Sequence, residues 1–191
     1  MPPGPSVKSV QQVLEEQGKL APDVVAVRVG HEIYDLHTPL PADDVAVTPI
    51  RVSDPEALGV IRHSSAHVMA DAVQKLFPGT QVTFGPATET GFYYDFDRPA
   101  GPFSEDELRL IESKMSEIVA GNHAFRREVV SKADARALLT KLGERYKLEH
   151  LERLEDPISL YRHGDWVDLC RGPHVPNTRL LQAFKLTAVS G

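Results

Sequence analysis

One cysteine, one tryptophan and no long apolar run set the first limits on this 191-residue chain. A single cysteine forms no internal disulfide, which excludes a disulfide-built secreted scaffold and favours a reducing cytoplasm. No stretch approaches the roughly 18 apolar residues of a membrane span, so no membrane partner is expected. The opening Met-Pro-Pro-Gly-Pro-Ser carries no apolar segment of a secretion signal. Basic residues are also short: 21 Lys and Arg face 27 Asp and Glu, so no global field attracts nucleic acid. A local basic surface remains open to it in Arg126, Arg127, Lys132, Arg136, Lys141, Arg145 and Lys147. The same series also reads as the solvated face of a helix.

What is present suffices for a core without staples, since 41% of residues are hydrophobic. The length allows one large domain, or a small one with a medium one. Val7 to Gln17 places valines and a leucine at helical spacing before Gly18. Val25, Val27 and Val29 alternate up to Gly30-His31, and Glu32 to Asp35 follows, a hairpin pattern. Pro39, Pro41 and Pro49 interrupt the next stretch, with a short strand expected within Val45 to Val52. A small helix-plus-sheet module ending near Ser53 accounts for this part.

Asp54-Pro55 predicts a helix start, an N-cap acceptor followed by proline at the first helical position, with the helix running to Phe77. Strands are expected at Val82 to Phe84 and Gly91 to Phe96, around a Gly85-Pro86 turn. Ser104 with Glu107 predicts a capping box, then a helix striped by Leu108, Ile111, Met115 and Ile118 and closed by Gly121. A strand at Phe125 to Val130 and a last clear helix from Ser131 with Asp134 to Gly143 follow. Strands and helices alternate without regular βαβ spacing, so the expected fold class is α+β.

Two motifs carry the chemistry. His63-Ser64-Ser65-Ala66-His67 places two imidazoles four residues apart. Asp168-Leu169-Cys170-Arg171-Gly172-Pro173-His174 adds a carboxylate, the lone thiol and a third imidazole at a Gly-Pro turn, after a strand beginning at Trp166. On the first helix Leu58, Ile61, Met69, Ala72 and Leu76 share a stripe, and the histidines project roughly opposite it. Ala66 and Ala70 beside them are small enough for another element to approach. Taken alone, such a histidine pair reads as solvated, and a single cysteine as an inert buried thiol. Together, His63, His67, Cys170 and His174 satisfy either a hydrolytic pocket or tetrahedral zinc. With zinc, protein would fill all four positions and leave none for a catalytic water.

These residues also carry a resemblance. Ile61 to His67, Gly91-Phe92-Tyr93-Tyr94-Asp95 and Asp168 to Asn177 together resemble the N-terminal region of bacterial threonyl-tRNA synthetases. The resemblance covers nearly the whole chain, although the histidine pair alone is shared with alanyl-tRNA synthetase editing domains and their free-standing relatives. It implies a ubiquitin-like (β-grasp) TGS module at residues 1–53, incomplete because the chain starts almost at its helix. Residues 54–191 would then be an editing domain that hydrolyses serine from mischarged tRNA(Thr). By the same resemblance His63, His67, Cys170 and His174 line the editing pocket, and Asp168, Lys147 and Tyr94 match further functional positions. Tyr94 also reads as a core strand residue.

In chemical terms, His63 is the first choice to position or deprotonate water, with His67 or His174 orienting substrate. Asp168 suits an α-ammonium or a histidine; Lys147 suits an oxyanion or the terminal phosphate. Cys170 reads as a wall of the pocket ahead of a nucleophile. The partner implied is tRNA(Thr), above all its aminoacylated 3′ end, together with an aminoacylation domain. ATP and zinc would act through that domain, whose class II segments are not in this sequence, so aminoacylation by this chain alone is not expected. No cofactor is required for editing itself, with zinc at the four clustered residues as the alternative. The rival functions are a free-standing trans-editing deacylase and a non-catalytic tRNA-binding module.

Overall fold

Valines and leucines three and four apart bury one side of a first short helix, α1 (Val10–Glu16), through Val10, Val13 and Leu14. The computed structural model describes residues 8–40 and 45–189, so Val7 and Pro41 lie outside the described residues. Ser9 caps α1 in a full capping box with Gln12, and Gly18 adopts a left-handed φ of 64° just beyond its end. The helix covers an antiparallel sheet of order β2-β1-β3, made of β1 (Val24–Val29), β2 (Glu32–Tyr34) and β3 (Thr48–Arg51). The expected hairpin is there, with Val27 opposite Tyr34 and Val29 opposite Glu32. Val24 and Val27 pack with α1, while Val25, Ala26 and Ile50 join the central core.

That core is built around α2 (Ala57–Leu76). The helix starts later than Asp54-Pro55 predicts. Asp54 accepts the Arg51 N–H instead, at 2.8 Å, and so closes the turn after β3 rather than capping the helix. The expected division of α2 into a buried and a wet face also fails. Leu58 is 45% exposed, while every residue from Ser64 to Val73 is buried. Helix α3 (Glu105–Ala120) packs beside α2 through Ile111, Met115 and Ile118, and carries the expected capping box of Ser104 and Glu107. Between them a short hairpin joins β4 (Gln81–Val82) to β5 (Phe96–Asp97). Its regular ladder is shorter than expected, and it reverses at Thr88–Gly91 rather than at Gly85-Pro86. Gly85 serves another purpose there: a Cβ would collide with the Tyr94 ring.

On the opposite side of α2 runs an antiparallel meander, β6 (Arg126–Val130), β7 (Ile158–His163) and β8 (Trp166–Leu169). Alternation along its strands separates two faces. Ile158, Leu160 and Leu169 face α4 (Lys132–Leu142) and α5 (Arg145–Leu151). Tyr161, His163, Trp166 and Asp168 face α2. Helix α4 begins at Ser131 and ends at left-handed Gly143, as expected. Strand β7 and helix α5 were not expected, and α5 proves essential to the site. Among the described residues, no helix is long and apolar enough to cross a membrane.

Candidate active site

The side of α2 that looks solvated in sequence is a polar seam buried against a polar sheet face. Ser64, His67, Asp71 and Gln74 lie along one stripe of the helix, and each meets a partner. The Ser64 hydroxyl is 3.1 Å from His174 Nδ1. His67 Nε2 lies 3.7 Å from Asp168 Oδ2. His163 Nε2 is 3.1 Å from Asp71 Oδ2, and the Trp166 indole donates to Gln74 at 2.7 Å. Most of these buried polar groups are paired, although the Nδ1 atoms of His67 and His163 find no partner among the described residues. Ala66 and Ala70 flank the seam and are fully buried, as their size suggested.

The two sequence motifs meet at one end of this seam. Cys170 Sγ lies 3.4 Å from His63 Nε2 and 3.4 Å from His174 Nε2. Candidate ligand atoms of His63, His67, Cys170 and His174 all fall within 4.8 Å of one another. Partners on the far side of two rings set their tautomers. His63 Nδ1 is 3.1 Å from the Pro173 carbonyl oxygen, which only accepts, so Nδ1 carries the proton. Ser64 donates to the Val60 carbonyl at 2.9 Å and accepts from Val175 N at 3.0 Å. Its remaining lone pair therefore accepts from His174 Nδ1. Both Nε2 lone pairs are left facing Cys170. The His174 ring is held between His63, 4.2 Å away, and Phe125, 4.9 Å away and nearly parallel.

Burial depresses the basicity of all three imidazoles. His63 is lowered chiefly by desolvation, opposed by its bond to Pro173 and by the charges of Asp168 and Asp35. His67 and His174 are held well below the ordinary range by burial and by neighbouring imidazoles. Burial, with the Asp168 charge, pushes the Cys170 thiol up to about 12. It is thus a protonated thiol near neutrality, a poor nucleophile.

Lys147 and Tyr94 complete the floor. The Glu144 side chain ties the start of α5 to α2, where it accepts from Gln74 at 2.5 Å, and to β4, where it accepts from the Val82 N–H at 3.4 Å. This anchoring brings Lys147, three residues on, beside Tyr94. Lys147 Nζ lies 2.8 Å from Asp168 Oδ1 and 3.0 Å from the Tyr94 hydroxyl. Tyr94 in turn donates to Asp168 Oδ2 at 2.7 Å. Burial and the Asp168 charge raise the Tyr94 pKa well above the usual phenol value, so it stays a donor.

An inner cavity of about 260 Å³ is lined by His63, His67, Tyr94, Lys147, Asp168 and Cys170, among others. His63, Phe84 and Cys170 also line a larger outer cleft of about 770 Å³, together with Arg127, Arg153 and Arg171. The basic series expected to form one surface is divided. Lys147 is buried, Arg136 pairs with Glu152, and Arg145 contacts Asp97 and Tyr146. Of those seven residues only Arg127 lines the cleft, and its buried Nε has no partner among the described residues. The expected site residues His63, His67, Tyr94, Lys147, Asp168, Cys170 and His174, by contrast, lie together.

Residues 158–191 match the family described as the threonyl and alanyl tRNA synthetase second additional domain. A protein of Oleidesulfovibrio alaskensis is 49% identical over 186 residues, covering 96% of this chain and 29% of the relative. One from Nitratidesulfovibrio vulgaris is 50% identical over 175 residues, 91% of this chain and 27% of its own length. One from Rhodospirillum rubrum is 48% identical over 185 residues, 95% and 28%. The chain is similar to threonine–tRNA ligases. It spans less than a third of the length of these ligases. The resemblance is thus to a threonyl-tRNA synthetase region that carries the second additional domain.

Arg153 and His150 at the cleft, Ser64 beside His174, and Asp35 and Tyr161 behind it are not among the residues expected from the sequence. Ser64 had a detectable signal, since it lies between the paired histidines. For the others the contacts are long-range and leave no local pattern.

Proposed function

We propose that this chain is the proofreading part of a threonyl-tRNA synthetase and hydrolyses the ester of serine wrongly attached to tRNA(Thr). One observation carries the reading. Neutral imidazoles and a protonated thiol converge where a small cavity shares His63, Phe84 and Cys170 with an arginine-lined cleft. The inner cavity suits an amino acid and the outer cleft a terminal ribose with its phosphates. In this reading residues 1–53 form a TGS-like module, residues 54–191 the editing domain, and an aminoacylation domain is the partner within the same synthetase.

The physical need is discrimination by one methyl group. A missing methylene is worth only about 1–3 kcal/mol in a binding pocket, so a site built for threonine also uses serine. A second pocket that admits the hydroxymethyl group and clashes with the extra methyl supplies the difference. Tyr94 and Cys170 form the wall assigned to that clash.

Hydrolysis follows from the tautomers. With Nδ1–H held by the Pro173 carbonyl, His63 Nε2 accepts a proton from water as its oxygen attacks the ester carbonyl carbon. Lys147 provides fixed positive charge for the developing oxyanion. Collapse of the tetrahedral species breaks the bond to the ribose oxygen, which takes the proton back from His63. His67 and His174 orient the bound amino acid. Asp168 is already engaged by Lys147, Tyr94 and the Leu169 N–H, so its role is to hold Lys147 rather than to capture an ammonium group.

Zinc is the second reading, and the donor set fits it. Two histidines with Nδ1–H tied to oxygen acceptors and Nε2 aimed at a thiol have the outer hydrogen bonds typical of metal ligands. His63, His67, Cys170 and His174 would hold the ion, which would supply Lewis-acid polarisation of an ester carbonyl where one of the four gave up its place. Deacylation of seryl- and threonyl-tRNA(Thr) by the chain, alongside His63→Ala and Asp168→Asn, tests the proposal. Selective loss of the seryl ester, abolished in His63→Ala, is expected. Equal hydrolysis of both esters, or bound tRNA with neither hydrolysed, overturns it. Stoichiometric zinc and inactivation by a chelator would favour the second reading.

A further inference from the structure

We infer that Asp35, on the loop after β2, is a positioning residue for the reaction at His63, acting through the Pro173–His174 peptide group. Asp35 is fully buried and lies 139 residues from His174 in sequence. Its Oδ1 accepts from the His37 N–H at 3.1 Å, the Thr38 N–H at 2.9 Å and the Thr38 hydroxyl at 2.8 Å, which fixes the carboxylate on its own loop. Its Oδ2 crosses to the site. There it accepts from the Tyr161 hydroxyl at 2.5 Å and from the His174 N–H at 3.3 Å.

The His174 N–H and the Pro173 carbonyl belong to one planar amide and point in opposite directions. That carbonyl oxygen is the partner of His63 Nδ1, at 3.1 Å. Carboxylate, amide and imidazole therefore form a continuous chain of hydrogen bonds. A negative group at the N–H end polarises the amide and strengthens the carbonyl as an acceptor. The effect is to hold His63 as the Nδ1–H tautomer, with Nε2 free on the side of Cys170. Tyr161 locks the other coordinate of the same turn. Its ring lies 4.6 Å from that of His174, and its hydroxyl also reaches the Arg171 carbonyl at 3.4 Å. Gly172, at φ 79°, leaves the space this requires: a Cβ would collide with the Tyr161 hydroxyl and lie 3.0 Å from Asp35 Oδ2. A carboxylate that only tied the N-terminal sheet to the core would need none of this alignment with His63.

The kinetic arm rests on the proofreading reading; the spectroscopic arm does not. Both Asp35 oxygens act only as acceptors, so in Asp35→Asn a donor faces a donor whichever way the amide lies. Long-range 15N spectra of the histidines in the 191-residue chain should show His63 protonated on Nδ1 in the wild type and as a tautomer mixture in Asp35→Asn. Seryl-tRNA(Thr) deacylation should lose about tenfold or more in kcat, the scale on which small misplacements act, with KM unchanged. A folded Asp35→Asn chain with His63 tautomer and kcat both unchanged overturns the inference, even if it melts earlier. Should that variant fail to fold, Tyr161→Phe with the wild-type spectrum decides. A dominant Nε2–H tautomer of His63 in the wild type, or no change in Tyr161→Phe, overturns the inference. A wild-type chain that shows the expected tautomers yet hydrolyses no ester refutes the proofreading reading and leaves the role of Asp35 intact.

Discussion

Lys147 and Asp168 form a buried ion pair, Nζ to Oδ1 2.8 Å, with 3% and 2% of the two residues exposed. A pair so enclosed is weak evidence of stability as a pair, yet costly to break, because the survivor is an uncompensated charge. Lys147→Met should destabilise the chain by about 3–5 kcal/mol in urea denaturation. Adding Asp168→Leu should restore part of that loss. A single-variant cost below about 1 kcal/mol would mean that the pair behaves as a solvated surface bridge.

Stability should fall on the acid side, through the histidines. His67 and His174 titrate well below the ordinary value when folded and near 6.5 when unfolded. Below about pH 6.5 the unfolded chain binds protons that the folded chain does not, so unfolding gains free energy as pH drops. The stability these neutral imidazoles confer is complete above that value and lost as pH falls toward their folded pKa. Denaturation midpoints should therefore decrease between about pH 7 and pH 5. A flat profile across that window would contradict the burial assigned to these rings.

The thiol should be chemically quiet. With its pKa near 12, Cys170 should react with iodoacetamide near pH 8 far more slowly than a free cysteine. Cys170→Ala should keep deacylation within a few-fold, whereas His63→Ala should lose on the order of 100-fold, the yield of a general base. Equal losses in both variants would restore Cys170 as a nucleophile or metal ligand. Metal analysis of Cys170→Ala would then separate those two roles.

Ser64 serves three partners with one hydroxyl, donating to Val60 and accepting from Val175 N and His174 Nδ1. Ser64→Ala should cost about 1–3 kcal/mol, because two buried donors lose their acceptor. The His174 tautomer should become mixed in the same variant, visible in imidazole 15N shifts. A destabilisation without a tautomer change would show that water replaces the hydroxyl at His174.

The parts of this molecule legible in sequence are those written locally. Ser104 with Glu107, Ser131 with Asp134, and Gly143 mark helix ends where they occur, because a cap depends on neighbours three residues away. The histidine, cysteine and aspartate motifs announced the site for the same reason. Helix α5 is only two turns long, too short for periodicity to register, so Lys147 looked like part of a basic surface. The polar side of α2 does not announce its burial, because serine, histidine, aspartate and glutamine suit solvent equally well. Only the facing strands and the turn after them, about a hundred residues away, supply their partners. Asp35 lay further out of reach, since its partners are set by tertiary packing alone.

Helix α2 is buried on every side from Ser64 to Val73, and His67 lies within that stretch. Many enzymes keep their reactive groups on mobile loops that loosen before the scaffold does. Here His67 cannot leave its place while the centre of the molecule stays intact. Heat should leave the pocket fully competent up to the melting transition, and inactivation and unfolding should then occur as one event.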